Sequence, residues 1–161
     1  MAFKIFRTVA THTFAVILGF ALGIYLLPIL IAPESPTHQA VTTVAESAEY
    51  TAQFTRELKG SDALHWGEGT VFISERQISH KGRLSPGPDF KLYLSPEFVQ
   101  SEAEFEQLKS QMIRVADIKT FEGFLVDIPD TVDLTQYNTL VIWCETFGEF
   151  ITAAQYQEML G

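Results

Sequence analysis

The residue type this chain uses least is the one that excludes most. There is a single cysteine, Cys144, among 161 residues. One thiol cannot close an intramolecular disulfide, and it rules out CxxC pairs, CxxCH haem attachment and cysteine-based zinc clusters. Positive charge is also short, with 11 Lys and Arg against 20 Asp and Glu. Such an acidic chain is repelled by nucleic-acid phosphates, so a nucleic-acid partner is excluded. No P-loop, no GxGxxG and no Ser/His/Asp order is present, so no classical enzyme constellation can be read. Without crosslinks the fold must be held by its own core, for which about 100 residues suffice.

Charge is missing altogether from residues 13–32, TFAVILGFALGIYLLPILIA. At about 1.5 Å per residue this run spans a hydrocarbon core of about 30 Å. Lys4 and Arg7 are the only charged side chains ahead of Glu34. Taking their two charges from the total of −9 leaves −11 on the remainder. The positive-inside rule then sets residues 1–12 in the cytoplasm and exports the rest, as a single-pass protein of the inner membrane with a periplasmic or extracellular domain. A cleaved signal peptide is the rival reading, but its apolar region is normally about 7–15 residues and ends in an A-x-A-like site. Here Leu30 and Ala32 are followed by Pro33, a poor site. Gly19 and Gly23 form a small-xxx-small pair of a kind common in membrane helices.

Residues 33–49 are rich in Pro, Ser, Thr and Ala and are predicted to be a spacer, with a short helix over about 41–52. A globular domain follows over 50–161. Phe54 and Leu58 suggest a first strand ending at Gly60. Further strands are predicted over 70–74, 77–81 and 90–95, then over 112–118, 120–128 and 139–145. Residues 150–157 read as a last strand or helix. Pro86 and Pro88 flank Gly87 and interrupt pairing. Ser101 and Glu104 have the capping-box spacing for a short surface helix over 101–110. In the strand over 120–128 both faces are largely apolar, which predicts a central position. Short strands with turn signals about every ten residues predict an all-β fold, an antiparallel sandwich or barrel of short strands with one short surface helix, behind a single transmembrane helix.

Four segments, HWGEGTV, SPGPDFKLYLSP, KTFEGFLVDIP and YNTLVIWCETFGEFITAAQY, resemble the DM13 domain family in type and order. The resemblance covers about Phe54 to Tyr156. It implies an all-β domain with a signature cysteine and a role in electron transfer, through a bare thiol or a bound group such as haem. It also implies a redox or membrane protein as partner.

Cys144 is the redox candidate. Period two places it on one face with Leu140 and Ile142. An exported thiol oxidises unless it is buried, bound or paired with another chain. Its neighbours Glu145 and Glu149 are expected to raise its pKa. The alternative is an inert core thiol within a structural or ligand-binding module. His65, His80, Asp89 and Asp127 are the candidate ligand-binding residues. His65, His80, Met112 and Met159 are the other soft or imidazole side chains of the folded domain that haem iron would take. Asp89 is expected to accept backbone amides in its turn. Asp127 is expected on an apolar face, needing Lys91, Lys119 or a backbone amide as partner. Asp127, Asp130 and Asp133 lack the Gly and Glu positions of a calcium loop, so no metal is assigned.

Overall fold

The computed structural model describes residues 1–158. Helix α1 (Ala2–Ile31) takes in the whole charge-free run but its last residue, and no other helix among the described residues is long and apolar enough to cross a membrane. That length and composition suit a membrane anchor or a signal sequence. Helix α2 (His38–Glu46) follows, with Thr37 Oγ1 accepting the amide of Ala40 at its start.

Eight strands come next: β1 (Tyr50–Phe54), β2 (Gly67–Ile73), β3 (Gln77–Leu84), β4 (Phe90–Ser95), β5 (Ile113–Ile118), β6 (Phe124–Asp127), β7 (Thr139–Cys144) and β8 (Glu149–Gln155). They form two antiparallel sheets, ordered β1-β2-β3-β6 and β5-β4-β7-β8. Helix α3 (Glu102–Leu108) lies between β4 and β5 in sequence. Its capping box is formed as the spacing predicts: Ser101 Oγ accepts the Glu104 amide, and the Glu104 carboxylate accepts the Gln100 amide at 2.7 Å.

The main core lies between the sheets. Val71, Ile73 and Ile78 face Leu92, Leu140 and Ile142 across it, all fully buried. A second cluster lies on the outer side of the second sheet, where Tyr93, Val141, Trp143 and Phe150 meet Phe105 of α3. The Phe105 ring stacks on Trp143 at 3.9 Å between centroids. Burying a side chain like Phe105 contributes about 1.5–3 kcal/mol. Covered on both faces, β7 has every residue buried, which explains its near-continuous apolar sequence.

Several expectations are corrected. The first strand covers Tyr50–Phe54 rather than reaching Gly60, because its partner is β2 and the register places Phe54 opposite Gly69. The strand expected over 120–128 is shorter and lies at a sheet edge. Thr120 Oγ1 donates to the Gly123 carbonyl at 2.6 Å and holds a turn there, so pairing starts only at Phe124. Within the stretch expected as spacer, α2 begins and ends earlier than the predicted helix, and Val41 and Val44 are buried. Residues 149–155 form a strand.

Candidate functional site

Cys144 ends β7, opposite Phe90 of β4 and Glu149 of β8. As the alternation predicts, it joins Leu140 and Ile142 on the inner face. A bulge sharpens its surroundings. Trp143 pairs with Phe150 and Ile142 with Thr152, so Ile151 is extra and turns into the main core. Bulges of this kind re-aim side chains near strand ends.

The turn after Cys144 is held from both sides. The Gly148 amide donates to the Cys144 carbonyl at 2.9 Å, and Gly148 has φ +68°, where a side chain would be strained. On one side Thr146 Oγ1 donates to Asp89 Oδ2 at 2.9 Å, and the Glu145 amide donates to the Asp89 carbonyl. On the other, Glu145 accepts from Lys109 Nζ and from the Tyr93 hydroxyl, both at 3.0 Å. Burial pushes Glu145 up, but these two donors outweigh it and hold its carboxyl below the usual range. Tyr93 is correspondingly pushed up to about 12, by burial first and then by Glu145.

Asp89 serves a different role from the one expected. Its carboxylate pairs with Lys91 Nζ at 2.6 Å, and Lys91 also meets Asp117 at 3.2 Å. The Lys91 ammonium beside it holds the Asp89 carboxyl below the ordinary value. It thus braces the Cys144 turn instead of capping its own.

Cys144 is only 3% exposed. Burial raises its pKa, while the backbone amides of Phe147, Asp89 and Thr146 pull the other way and lose. The acid felt by the sulfur is Asp89, whereas the Glu145 carboxylate is engaged by Lys109 and Tyr93. The expected rise is therefore present, with burial as its main cause.

The Cys144 position opens into a cleft of about 500 Å³. Its β-domain walls include Leu64, His65, Pro86, Phe90 and Phe147. Leu18, Leu22 and Tyr25 of α1 lie across the open side. They remain 46%, 47% and 41% exposed, while Ile24 beside them is half-buried. His65 shares this cleft and is oriented by Asp62, whose Oδ2 lies 3.1 Å from His65 Nδ1. The other Asp62 oxygen accepts the Leu64 and His65 amides at 2.7 and 2.8 Å, and the Leu64 contact leads in holding the Asp62 carboxyl low. Asp62 and Phe147 are residues that the sequence did not single out. The Asp62-to-His65 spacing was its only local signal, and that spacing is commonplace.

The remaining candidates lie elsewhere. His80 is fully buried in the first sheet, between the Phe54 and Phe124 rings. Its Nε2 donates to the Glu68 carbonyl at 3.0 Å, which leaves Nδ1 as a buried acceptor with no partner. Burial lowers its pKa from 6.5 to about 4, so the ring is neutral. Gly82 makes room for it: a Cβ there would collide with the Glu68 carbonyl oxygen and lie 2.6 Å from His80 Nε2. Asp127 corrects the expectation of a buried acid. It is exposed and accepts from Gln77 Nε2 at 2.9 Å. Asp130 pairs with Arg76, and Asp133 caps the turn at Thr135, so each acid of the trio has its own partner. Met112 packs at the edge of the outer cluster, and Met159 lies outside the described residues.

Haem does not fit these residues. Ligation through sulfur needs an accessible Sγ, and Cys144 is only 3% exposed. His80 is enclosed, leaving His65 as the one imidazole in the cleft.

No curated protein and no solved structure matches the chain. One family profile does, described as Electron transfer DM13, over residues 53–156. The matched span runs from β1 to just past β8, includes Cys144 and its whole cleft wall from the β domain, and is well over half of the 161 residues. The chain belongs to the Electron transfer DM13 family.

Proposed function

We propose that this protein is a membrane-anchored, extracytoplasmic redox module that carries out electron transfer or thiol sensing at Cys144. The observation that carries the reading is the placement of the thiol. Cys144 sits at a strand end, before a turn braced by Asp89 and Lys109, and lines a cleft that His65, oriented by Asp62, also lines. The family description supports the electron-transfer half of the reading. The apolar run of α1, with Lys4 and Arg7 before it and Glu34 after it, supports an anchor whose N-terminus is cytoplasmic. In this reading residues 13–32 cross the inner membrane and residues 33–49 link them to the domain over 50–161.

One cysteine limits the chemistry. Two-electron oxidation of Cys144 must end in a bond to an external sulfur or in a sulfenic acid. Because Cys144 is only 3% exposed, the reaction in this reading requires local opening of the Glu145–Gly148 turn. A redox or membrane protein partner would supply the second sulfur.

The second reading is an inert core thiol in a structural or ligand-binding module. The 3% exposure and the raised pKa favour it. Oxidised glutathione separates the two in the native full chain. In the exchange, the Cys144 thiolate attacks one glutathione sulfur, a mixed disulfide forms, and the other glutathione leaves as thiol. The redox reading expects this adduct to form faster than the domain unfolds and to be reversed by reductant. An adduct that appears only at the global unfolding rate sinks the redox reading and leaves the inert thiol.

A further inference from the structure

We infer that the cleft end of the sandwich rests on the lipid surface of the bilayer that α1 spans, with Leu64 and Phe147 entering the interface. The inference depends on the anchoring reading of α1 and goes beyond it by orienting the domain.

Strand register defines the two ends. Gly67 pairs with Leu84, and Phe90 pairs with both Cys144 and Ile118. The loops over 55–66, 85–89, 119–123 and 145–148 therefore gather at one end, with the Cys144 cleft. The turn over 74–76 and Asp130 lie at the other, where Gln77 pairs with Asp127 and Arg76 bonds Asp130.

Chain connectivity brings the cleft end to the membrane. The last turn of α1 and its exit, Pro28, Ile31 and Pro33, share a hollow with Pro88, Ile118 and Phe121 of the cleft end. Only residues 32–37 separate α1 from α2, at most about 20 Å of extended chain. Helix α2 is itself docked through Val41 and Val44, so the domain cannot swing far from the bilayer.

The surface chemistry agrees. Among the described residues beyond α1, three large apolar side chains are exposed: Leu64 at 57%, Phe98 at 38% and Phe147 at 49%. Two of these three rim the Cys144 cleft. The side chains lying across that rim, Leu18 and Leu22, belong to the apolar run of α1 and stay nearly half exposed there. When α1 spans a bilayer those residues sit in hydrocarbon, and lipid takes their place on the rim. Of the acids at this end, Asp89 is paired with Lys91 and Glu145 with Lys109, while Asp62, Glu122 and Glu149 have no Lys or Arg partner among the described residues. A zwitterionic lipid surface, which carries no net charge, does not repel these acids.

The test uses the full chain in vesicles of zwitterionic phosphatidylcholine. On a Cys144→Ser background, Leu64→Cys, Phe147→Cys and Asp130→Cys are each labelled with an environment-sensitive fluorophore. The labels at 64 and 147 should shift to the blue, lose quenching by aqueous iodide and gain quenching by nitroxide-bearing lipid. The label at 130 should do the reverse. The unsubstituted protein offers a second measurement: Trp66, next to His65, should be dimmed by brominated lipid, while buried Trp143 should not. Release of the protein by alkaline carbonate overturns the anchor and this orientation with it. Retention in the membrane, with rim labels and Trp66 as open to water as the label at 130, overturns the orientation alone.

Discussion

His80 makes the sharpest quantitative test of how this sandwich is held. The ring is fully buried, donates through Nε2 to the Glu68 carbonyl, and has no partner at Nδ1. A proton on Nδ1 would place an unpaired cation between Phe54 and Phe124. Its pKa accordingly falls from 6.5 to about 4. The folded state binds fewer protons than the unfolded chain, so stability rises with pH across this window. The contribution is intact above 6.5, is lost as pH falls, and is gone below about 4. At about 1.4 kcal/mol per pKa unit the whole loss is about 3 kcal/mol, of which about 2 is already felt near pH 5. The carboxyls of Asp62, Asp89, Glu104 and Asp117 all have lowered values. Their contributions are lost mainly below about pH 4, so they leave the window near pH 5 to His80. The perturbation is His80→Gln, whose amide can still donate to the carbonyl but does not titrate. Denaturant unfolding of the full chain in micelles, followed by tryptophan fluorescence, should show the wild type losing about 2 kcal/mol between about pH 7.5 and 5. The variant should lose much less over the same interval. Parallel losses would refute the reasoning, since the proton would then be entering elsewhere.

Other outcomes follow from the same packing. Native Cys144 should react with maleimide far more slowly than the unfolded chain does, and Gly148→Ala should speed it by straining the turn at φ +68°, a penalty of about 1–2 kcal/mol. Equal native and unfolded rates would show that the thiol is not covered. Phe105→Ala should cost about 3–5 kcal/mol in denaturant unfolding and shift Trp143 emission, because it removes the ring stacked on that indole. Val44→Ala, by contrast, should cost about 1–3 kcal/mol if α2 is part of the folded unit, and nothing if it is a loose spacer.

Local pattern made much of the architecture legible. The uncharged run over 13–32 marked α1 because hydrocarbon admits no bare charge, and that rule needs no tertiary information. Alternation along Leu140–Cys144 placed the thiol on the inner face, since strand periodicity is a property of the backbone. Ser101 and Glu104 announced α3 through a bond pattern that closes within five residues. Where the reading went astray, partners distant in sequence decided. Asp127 has apolar neighbours in sequence, yet β6 is an edge strand and the carboxylate faces water and Gln77. Asp89 stands in a turn, yet its partners are Lys91 and Thr146, the latter 57 residues away.

By itself, then, the sequence determined which segments are apolar, which alternate, and that one thiol lies on an inner face. The tertiary structure alone decided what surrounds that thiol. It brought Phe147 and the Asp62–His65 pair to the end of β7, braced the turn through Asp89 and Lys109, and set α2 against the first sheet. The physical reason is that pattern acts through backbone periodicity over a few residues. The environment of Cys144 is made by register and sheet packing between segments as far apart as residues 64 and 144.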